Sequence, residues 1–92
     1  MLFQKENGRI YAEDSNGMLI AEITFPLIND NTVDLNHTFV HPSLRGQGVA
    51  DTLVRMVVND LKDKKLKATV SCSYAIKWFE SHPEWNEILI QK

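Results

Sequence analysis

The sequence predicts a mixed α/β (α+β) fold, and three observations indicate this class. The first 40 residues alternate between short apolar-rich runs and turn signals, which is typical of an antiparallel meander of about four strands. A helical pattern then covers residues 49–64, and a further apolar run, residues 67–72, follows it. A strand–helix–strand order predicts a right-handed crossover, so the fourth and fifth strands should be parallel within a mixed sheet.

Length and composition bound the possible functions. With 92 residues, of which 43% are hydrophobic and 24% charged, the sequence predicts one domain spanning residues 1–92. The formal net charge of −2 provides no basic field, so nucleic acid is not an expected partner. The N-terminus lacks the apolar run of a signal peptide, and no segment approaches ~18 apolar residues, so no membrane span is expected.

The cysteine and histidine content argues against metal and disulfide chemistry. Cys72 is the only cysteine, so an intramolecular disulfide is excluded and a cysteine-based metal site is not expected. The three histidines are too scattered in sequence to indicate a metal site. A reducing, cytoplasmic location fits this cysteine usage best.

Turn signals divide the N-terminal meander. Asn7-Gly8 is a strong hairpin signal, and a second turn cluster covers residues 14–17. Pro26 ends the third strand, and a polar turn at residues 29–31 precedes the fourth. The predicted strands of the meander are residues 2–6, 9–13, 18–25 and 33–40.

The fourth predicted strand has a polar face. Strict alternation places Val33, Leu35, His37 and Phe39 on one face, and Asp34, Asn36, Thr38 and Val40 on the other. Three successive polar side chains on one face are more than a buried central strand usually tolerates. This face is therefore expected to be exposed to solvent or to line a cleft.

The helix over residues 49–64 is the clearest element. Apolar residues recur at i, i+4 spacing from Val49 to Leu61, so the helix should pack on the sheet with its other side in water. Asp51 and Arg55 are spaced for an ion pair on the exposed side.

The C-terminal part is predicted to hold a second, short helix. Ser73 is the expected N-cap of a helix that ends near Ser81, because His82-Pro83 stops it. Residues 85–90 form a short final segment that could be an edge strand.

The turn between the fourth strand and the helix has the features of a phosphate-binding site. The first amides of a helix have no internal partner, and the helix dipole adds partial positive charge there. Two glycines without Cβ atoms let an anion approach the backbone, and an arginine adds charge. An ordinary surface turn is the alternative. The candidate residues are Arg45, Gly46, Gln47, Gly48, Val49 and Ala50.

The residues around this turn resemble the GNAT superfamily of acetyl-CoA-dependent N-acetyltransferases. That family's signature, Gln/Arg-x-x-Gly-x-Gly/Ala, is met by Arg45, Gly48 and Ala50, between a predicted strand and a helix. With a His-Thr pair before the signature and a Cys-Ser-Tyr run after it, the chain resembles a compact, YjdJ-type subgroup. The resemblance implies a GNAT-like fold with splayed fourth and fifth strands, acetyl-CoA as cosubstrate, and no metal.

The resemblance also implies binding roles. Residues 45–50 would bind the CoA pyrophosphate through backbone N–H groups. The end of the fourth strand, Thr38–Val40, would pair with the pantetheine arm by backbone hydrogen bonds. The thioester would enter a wedge between Phe39 and Ser71.

Three side chains are candidates for the chemistry. Cys72, where the fifth strand meets a helix N-terminus, would protonate the CoA thiolate or carry the acetyl group; otherwise it is a small core residue. His37 would deprotonate the incoming ammonium or be hydrogen-bonded in the core. Tyr74 would donate a proton in place of the family's tyrosine, four residues after an alanine, where this chain has Phe79 after Ala75; otherwise it would cap the sheet.

The sequence thus predicts acetyl transfer from acetyl-CoA to an unidentified amine, directly or through an acetylated Cys72. The alternative is a CoA-binding module without transferase activity, serving as a sensor or interaction subunit. That alternative is favoured by Phe79 and by the lack of helices between the first two strands, which help to form the acceptor site in typical members. A monomer or weak homodimer is expected.

Overall fold

A computed structural model describes residues 1–90 of the chain. Within these residues, the short predicted runs form strands and the predicted amphipathic segment forms the longer helix. The elements are β1 (Gln4–Glu6), β2 (Arg9–Glu13), β3 (Leu19–Thr24), β4 (Leu27–Asn29), β5 (Thr32–Leu35), β6 (His37–Val40), a 3₁₀ helix (Pro42–Leu44), α1 (Val49–Lys64), β7 (Lys67–Val70), α2 (Ser73–Ser81) and a second 3₁₀ helix (Pro83–Ile88).

The strands form two sheets. One is antiparallel, with the order β1-β2-β3-β6, and the other has the order β4-β5-β7. In the second sheet β4 and β5 are antiparallel, whereas β5 and β7 are parallel. The predicted mixed α+β fold, with an antiparallel meander followed by a crossover to a parallel strand, is therefore confirmed.

One hydrophobic core lies between the sheets and the helices. The apolar row of α1 packs on the buried sheet faces, and Trp78 and Phe79 of α2 join the same cluster. Burying each large apolar side chain contributes roughly 1.5–3 kcal/mol, so this row fixes α1 on the sheets. The α1 side chains that are at most 1% exposed are Leu53, Val54, Val57, Val58 and Leu61.

The fourth predicted strand is two strands, which separate at Asn36. The carbonyl of Leu35 accepts hydrogen bonds from the amides of Ser71 and Cys72, each at 3.1 Å, so β5 stays with β7. The amide of Asn36 instead donates to the carbonyl of Thr24 at 3.3 Å, and β6 continues along β3. The predicted splay of the two strands is thus present and begins at Asn36.

Asn36 also reverses the facing of the residues after it. Thr38 and Val40 pair with the buried Ile23 and Ala21, so they point to the core side, as Val33 and Leu35 of β5 do. The expectation that His37 and Phe39 share a face with Val33 and Leu35 was therefore wrong. One residue inserted into a strand shifts every later side chain to the other face.

Four other boundaries differ from the predictions. Residues 27–29 form β4, a strand that was not predicted and that takes in the first residue of the predicted turn at 29–31, because they pair with β5. The final segment is a 3₁₀ helix followed by a single parallel bridge between Leu89 and Ala68, rather than an edge strand. Cys72, not Ser73, is the N-cap of α2, and β7 ends at Val70.

Candidate functional site

A gap opens between β6 and β7 after the two strands diverge. At the end of β6, the amide of His41 donates to the carbonyl of Ile20 at 2.8 Å. Alternate residues of an antiparallel strand bond to the same neighbour, so Thr38 and Val40 turn their backbone N–H and C=O groups away from β3. These groups face the gap, where an extended ligand could pair with them.

Cys72 lies across the gap from β6, at the N-terminus of α2. Its Sγ is 3.4 Å from the Thr38 Oγ1, and the residue is half-buried. Burial raises the pKa of the Cys72 thiol, but the Thr38 hydroxyl and the nearby amides of Ala75 and Tyr74 lower it more, so that the pKa falls below its ordinary value. The side chain makes no capping hydrogen bond in the described structure, so the amides act through their polarity.

The segment 45–50, which we call the glycine loop, has the backbone expected of its glycines. Gly46 and Gly48 have φ values of +80° and +74°, a region that residues with a Cβ rarely adopt. A Cβ added at either would have no atom of the described residues within 4 Å. The left-handed backbone is thus a reason for both glycines in addition to the close approach of a ligand.

The glycine loop presents free amides at the start of α1. The first intrahelical bond runs from the amide of Thr52 to the carbonyl of Gly48 at 3.0 Å. Helix geometry therefore leaves the amides of Val49, Ala50 and Asp51 without an intrahelical acceptor, and Gly48 provides no side-chain cap. Such a helix start attracts anions.

A cavity of about 250 Å³ lies beside the glycine loop. Its wall includes Val40 at the end of β6, the start of α1 and Tyr74 of α2. Burial, and then the charge of Asp51, raise the pKa of Tyr74, so its hydroxyl is protonated at neutral pH. The lining residues are Val40, Leu44, Arg45, Gly46, Gly48, Val49, Ala50, Asp51 and Tyr74.

The negative charge of Asp51 beside this cavity is balanced by two donors. Arg55 Nε donates to one carboxylate oxygen at 2.8 Å, which confirms the predicted ion pair, and Trp78 Nε1 donates to the other at 2.7 Å. These hydrogen bonds, from Arg55 first and then Trp78, hold the pKa of Asp51 below its ordinary value. The pairing reduces the repulsion that a bound phosphate would otherwise meet.

His37 lies on the other face of the sheet. Its side chain is 52% exposed and its Nε2 is 3.3 Å from Glu22 Oε1, so the core interpretation of His37 was wrong. Glu22 is also bonded to Arg9. The structure thus brings Thr38 to Cys72, and Val40 and Tyr74 to the glycine loop, while His37 contacts Glu22.

Sequence reasoning missed a carboxylate at the base of the gap. Asp34 Oδ1 accepts from the Thr69 hydroxyl and Oδ2 from the Ser71 hydroxyl, both at 2.6 Å. These bonds hold β5 to β7 just before the strands diverge. An available signal was that Asp34, Thr69 and Ser71 occupy alternating positions of two strands predicted to be parallel.

Residues 1–90 contain neither a helix that could cross a membrane nor a cluster that could hold a metal ion. Neither α1 nor α2 is long and apolar enough to cross a membrane. No group of three or more His, Cys, Asp or Glu side chains is placed to hold a metal ion in this part of the chain.

The chain is similar to known proteins over most of its length. The family model described as GCN5-related N-acetyl-transferase matches residues 9–88. Protein NATD1 of Xenopus tropicalis is 32% identical over 63 residues, which are 68% of this chain and 58% of that protein. Protein NATD1 of Homo sapiens is 30% identical over 63 residues, and the matched part is 56% of that protein. The chain therefore spans little more than half the length of these relatives.

Solved structures share the fold. A GCN5-like protein from Staphylococcus aureus, solved by NMR, superposes with a TM-score of 0.82 at 27% identity, covering 99% of this chain and 89% of that one. The ribosomal-protein-alanine N-acetyltransferase from Brucella melitensis superposes with a TM-score of 0.59 at 16% identity, covering 91% of this chain and 61% of that one. The likeness in fold agrees with the family match over residues 9–88, and the chain belongs to the GCN5-related N-acetyltransferase family.

Proposed function

We propose that the protein is a single acetyl-CoA-binding domain that transfers the acetyl group to an amine. The observation that carries this proposal is the placement of three groups along β6. The cavity beside the glycine loop reaches Val40 at the end of β6, the backbone of Thr38 and Val40 faces the gap, and the thiol of Cys72 lies 3.4 Å from the Thr38 hydroxyl. Family membership supports acetyl-CoA as the donor.

The donor would bind in an extended form. Its pyrophosphate would lie on the amides of the glycine loop, with Arg45 and the dipole of α1 adding positive charge. The pantetheine arm would then pair with the backbone of Thr38–Val40, as an added strand does. The thioester would reach the apex of the gap near Cys72.

The lowered pKa of Cys72 favours a covalent route. In the first step the Cys72 thiolate attacks the thioester carbonyl, the carbon–sulfur bond to CoA breaks, and the CoA thiolate leaves with the charge. In the second step an amine attacks the acetyl-Cys72 thioester, losing its proton as the Cys72 thiolate is restored. A water in the gap is the proposed base for that proton, because His37 lies on the opposite face of the sheet beside Glu22.

A second function has one observation in its favour. Phe79, which stands where many family members have the proton-donating tyrosine, is 3% exposed and has no hydroxyl. A protein that binds CoA without transferring the acetyl group, as a sensor or interaction subunit, would need no such donor. If transfer is direct, Tyr74, which its raised pKa keeps protonated, would donate a proton to the leaving CoA thiolate instead.

Intact-protein mass spectrometry after incubation with acetyl-CoA tests the covalent route. Because Cys72 is the only cysteine, one added acetyl group that is absent in Cys72→Ala supports the route. An acetyl group that persists in Cys72→Ala would place the label elsewhere and refute it. Release of CoA on adding a panel of amines, without an adduct, would instead support direct transfer.

Calorimetric titration with CoA and acetyl-CoA separates the two functions from a protein that binds neither. Binding without adduct and without amine-dependent CoA release would support the sensor or interaction subunit. Absence of binding would refute both. A reducing, cytoplasmic location is part of this proposal, because an oxidised Cys72 could not act.

A further inference from the structure

Thr38 occupies a position where an apolar side chain would be expected. The residue inserted at Asn36 turns Thr38 to the core side of β6, opposite the fully buried Ile23. The next residue on that side is Val40, and valine has nearly the shape of threonine. Thr38 is half-buried, and a hydroxyl that loses contact with water needs a partner to offset the cost.

The partner of this hydroxyl is the thiol of Cys72. The Thr38 Oγ1 lies 3.4 Å from Cys72 Sγ, across the gap between β6 and β7. The amide of Cys72 is bonded to the carbonyl of Leu35 at 3.1 Å, which fixes the backbone of Cys72 relative to β5. With the backbone held in this way, only the orientation of the Cys72 side chain can still vary. The contact with the Thr38 hydroxyl restricts that orientation.

We propose that Thr38 is a positioning residue whose hydroxyl donates to the Cys72 sulfur in its thiolate form and holds it at the apex of the gap. A thiolate can only accept, so the hydroxyl must be the donor. Hydrogen bonds to ionised acceptors are stronger than neutral ones, so this contact stabilises the thiolate relative to the thiol. The catalytic consequence rests on the proposed acetyl transfer, whereas the state of the thiol can be measured without it.

The inserted residue explains why a threonine can perform this role. Without the insertion, position 38 would face the exposed side of the sheet, away from α2 and Cys72. The inserted residue therefore has two effects. It separates β6 from β7, and it places the Thr38 hydroxyl on the side of β6 that faces Cys72.

The test measures alkylation of the single cysteine by iodoacetamide as a function of pH, in wild type, Thr38→Val and Thr38→Ser. Intact mass gives the rate, because only Cys72 can carry the cysteine adduct. Thr69→Val is the matched control, since it removes a strand hydroxyl that bonds Asp34 and not Cys72. Far-UV circular dichroism and a thermal melt check that each variant is folded.

Thr38→Val should move the midpoint of the alkylation profile to higher pH. If the midpoint rises by about one pH unit, the rate below it falls by about threefold, because the more basic thiolate is also more nucleophilic. Thr38→Ser, which keeps the hydroxyl, should restore most of the wild-type profile, and Thr69→Val should match wild type. The rate of Cys72 acetylation by acetyl-CoA should fall in Thr38→Val and recover in Thr38→Ser.

Two results would overturn the positioning role. One is a folded Thr38→Val protein whose alkylation profile overlays that of wild type. The other is a Thr38→Ser protein that behaves as Thr38→Val does, since packing rather than the hydroxyl would then matter. Failure of Cys72 acetylation in every protein, with the alkylation shift present, would refute the covalent route of the proposed transfer and leave the Thr38–Cys72 interaction supported.

Discussion

Replacing Gly48 by alanine separates the two reasons for a glycine in the glycine loop. At φ +74° the new Cβ costs about 1–2 kcal/mol of backbone strain. Alanine also restricts the unfolded chain, which returns about 0.4–1 kcal/mol. No atom of the described residues lies within 4 Å of the added Cβ, so no clash adds to this. The free energy of unfolding should therefore fall by about 1 kcal/mol, and the melting temperature by about 4–8 °C.

Gly17 provides the matched control. Its φ is +79°, and a Cβ there also has no atom of the described residues within 4 Å, but it lies in the turn between β2 and β3. Gly17→Ala should lose a similar amount of stability for the same reason. Only Gly48→Ala places a Cβ in the space where the CoA pyrophosphate is proposed to lie.

Calorimetric titration with acetyl-CoA distinguishes the two variants. Gly48→Ala should weaken binding by tenfold or more, which is about 1.4 kcal/mol, and Gly17→Ala should bind as wild type does. Equal affinities for Gly17→Ala and Gly48→Ala, with equal losses of stability, would refute the argument for close approach. The left-handed backbone would then be the whole reason for Gly48.

Three further substitutions test the fold and its charges. Leu53→Ala, in the buried row of α1, should lower the free energy of unfolding in urea by about 2–5 kcal/mol, and a loss under 1 kcal/mol would contradict the core assignment. Asp34→Ala should cost about 1–3 kcal/mol in the same assay, because it leaves two hydroxyls without their shared acceptor. The lowered pKa of Asp51 means that its stabilising contribution is present above the ordinary carboxyl pKa of 3.8 and is lost as pH falls through the lower folded value. Asp51→Asn should therefore lose less stability than wild type on acidification, and parallel pH–stability curves would contradict this.

Much of the fold could be predicted because its signals are local. The spacing of apolar residues determines α1 over residues 49–64, and the Asn7-Gly8 turn separates β1 from β2. The short β4 was missed, since three exposed residues next to Pro26 form a strand only by pairing with β5. Pairing between distant segments leaves little trace in the segment itself.

The site was predicted less completely than the fold. The glycine loop and Cys72 stood out because both adjoin helix starts, where backbone amides have a general chemistry. The predicted facing of the His37 and Thr38 side chains was wrong, because strict alternation assumes one continuous strand. A signal for the insertion was present, since the polar run Asn36-His37-Thr38 interrupts the alternation of apolar residues. Which residue is inserted depends on how the strand pairs with its neighbours, and the sequence of the strand does not contain that information.

The backbone of β6 has a consequence for hydrogen–deuterium exchange. The amides of His37 and Phe39 face β3 and should exchange slowly, while that of Val40, between Phe39 and the protected His41, faces the gap and should exchange fast. When slow and fast amide exchange alternate along one strand, the strand is hydrogen-bonded to a neighbour on one side only. Saturating acetyl-CoA should erase the alternation by slowing the gap-facing amides of Thr38 and Val40, which would locate the bound ligand on the backbone without any substitution.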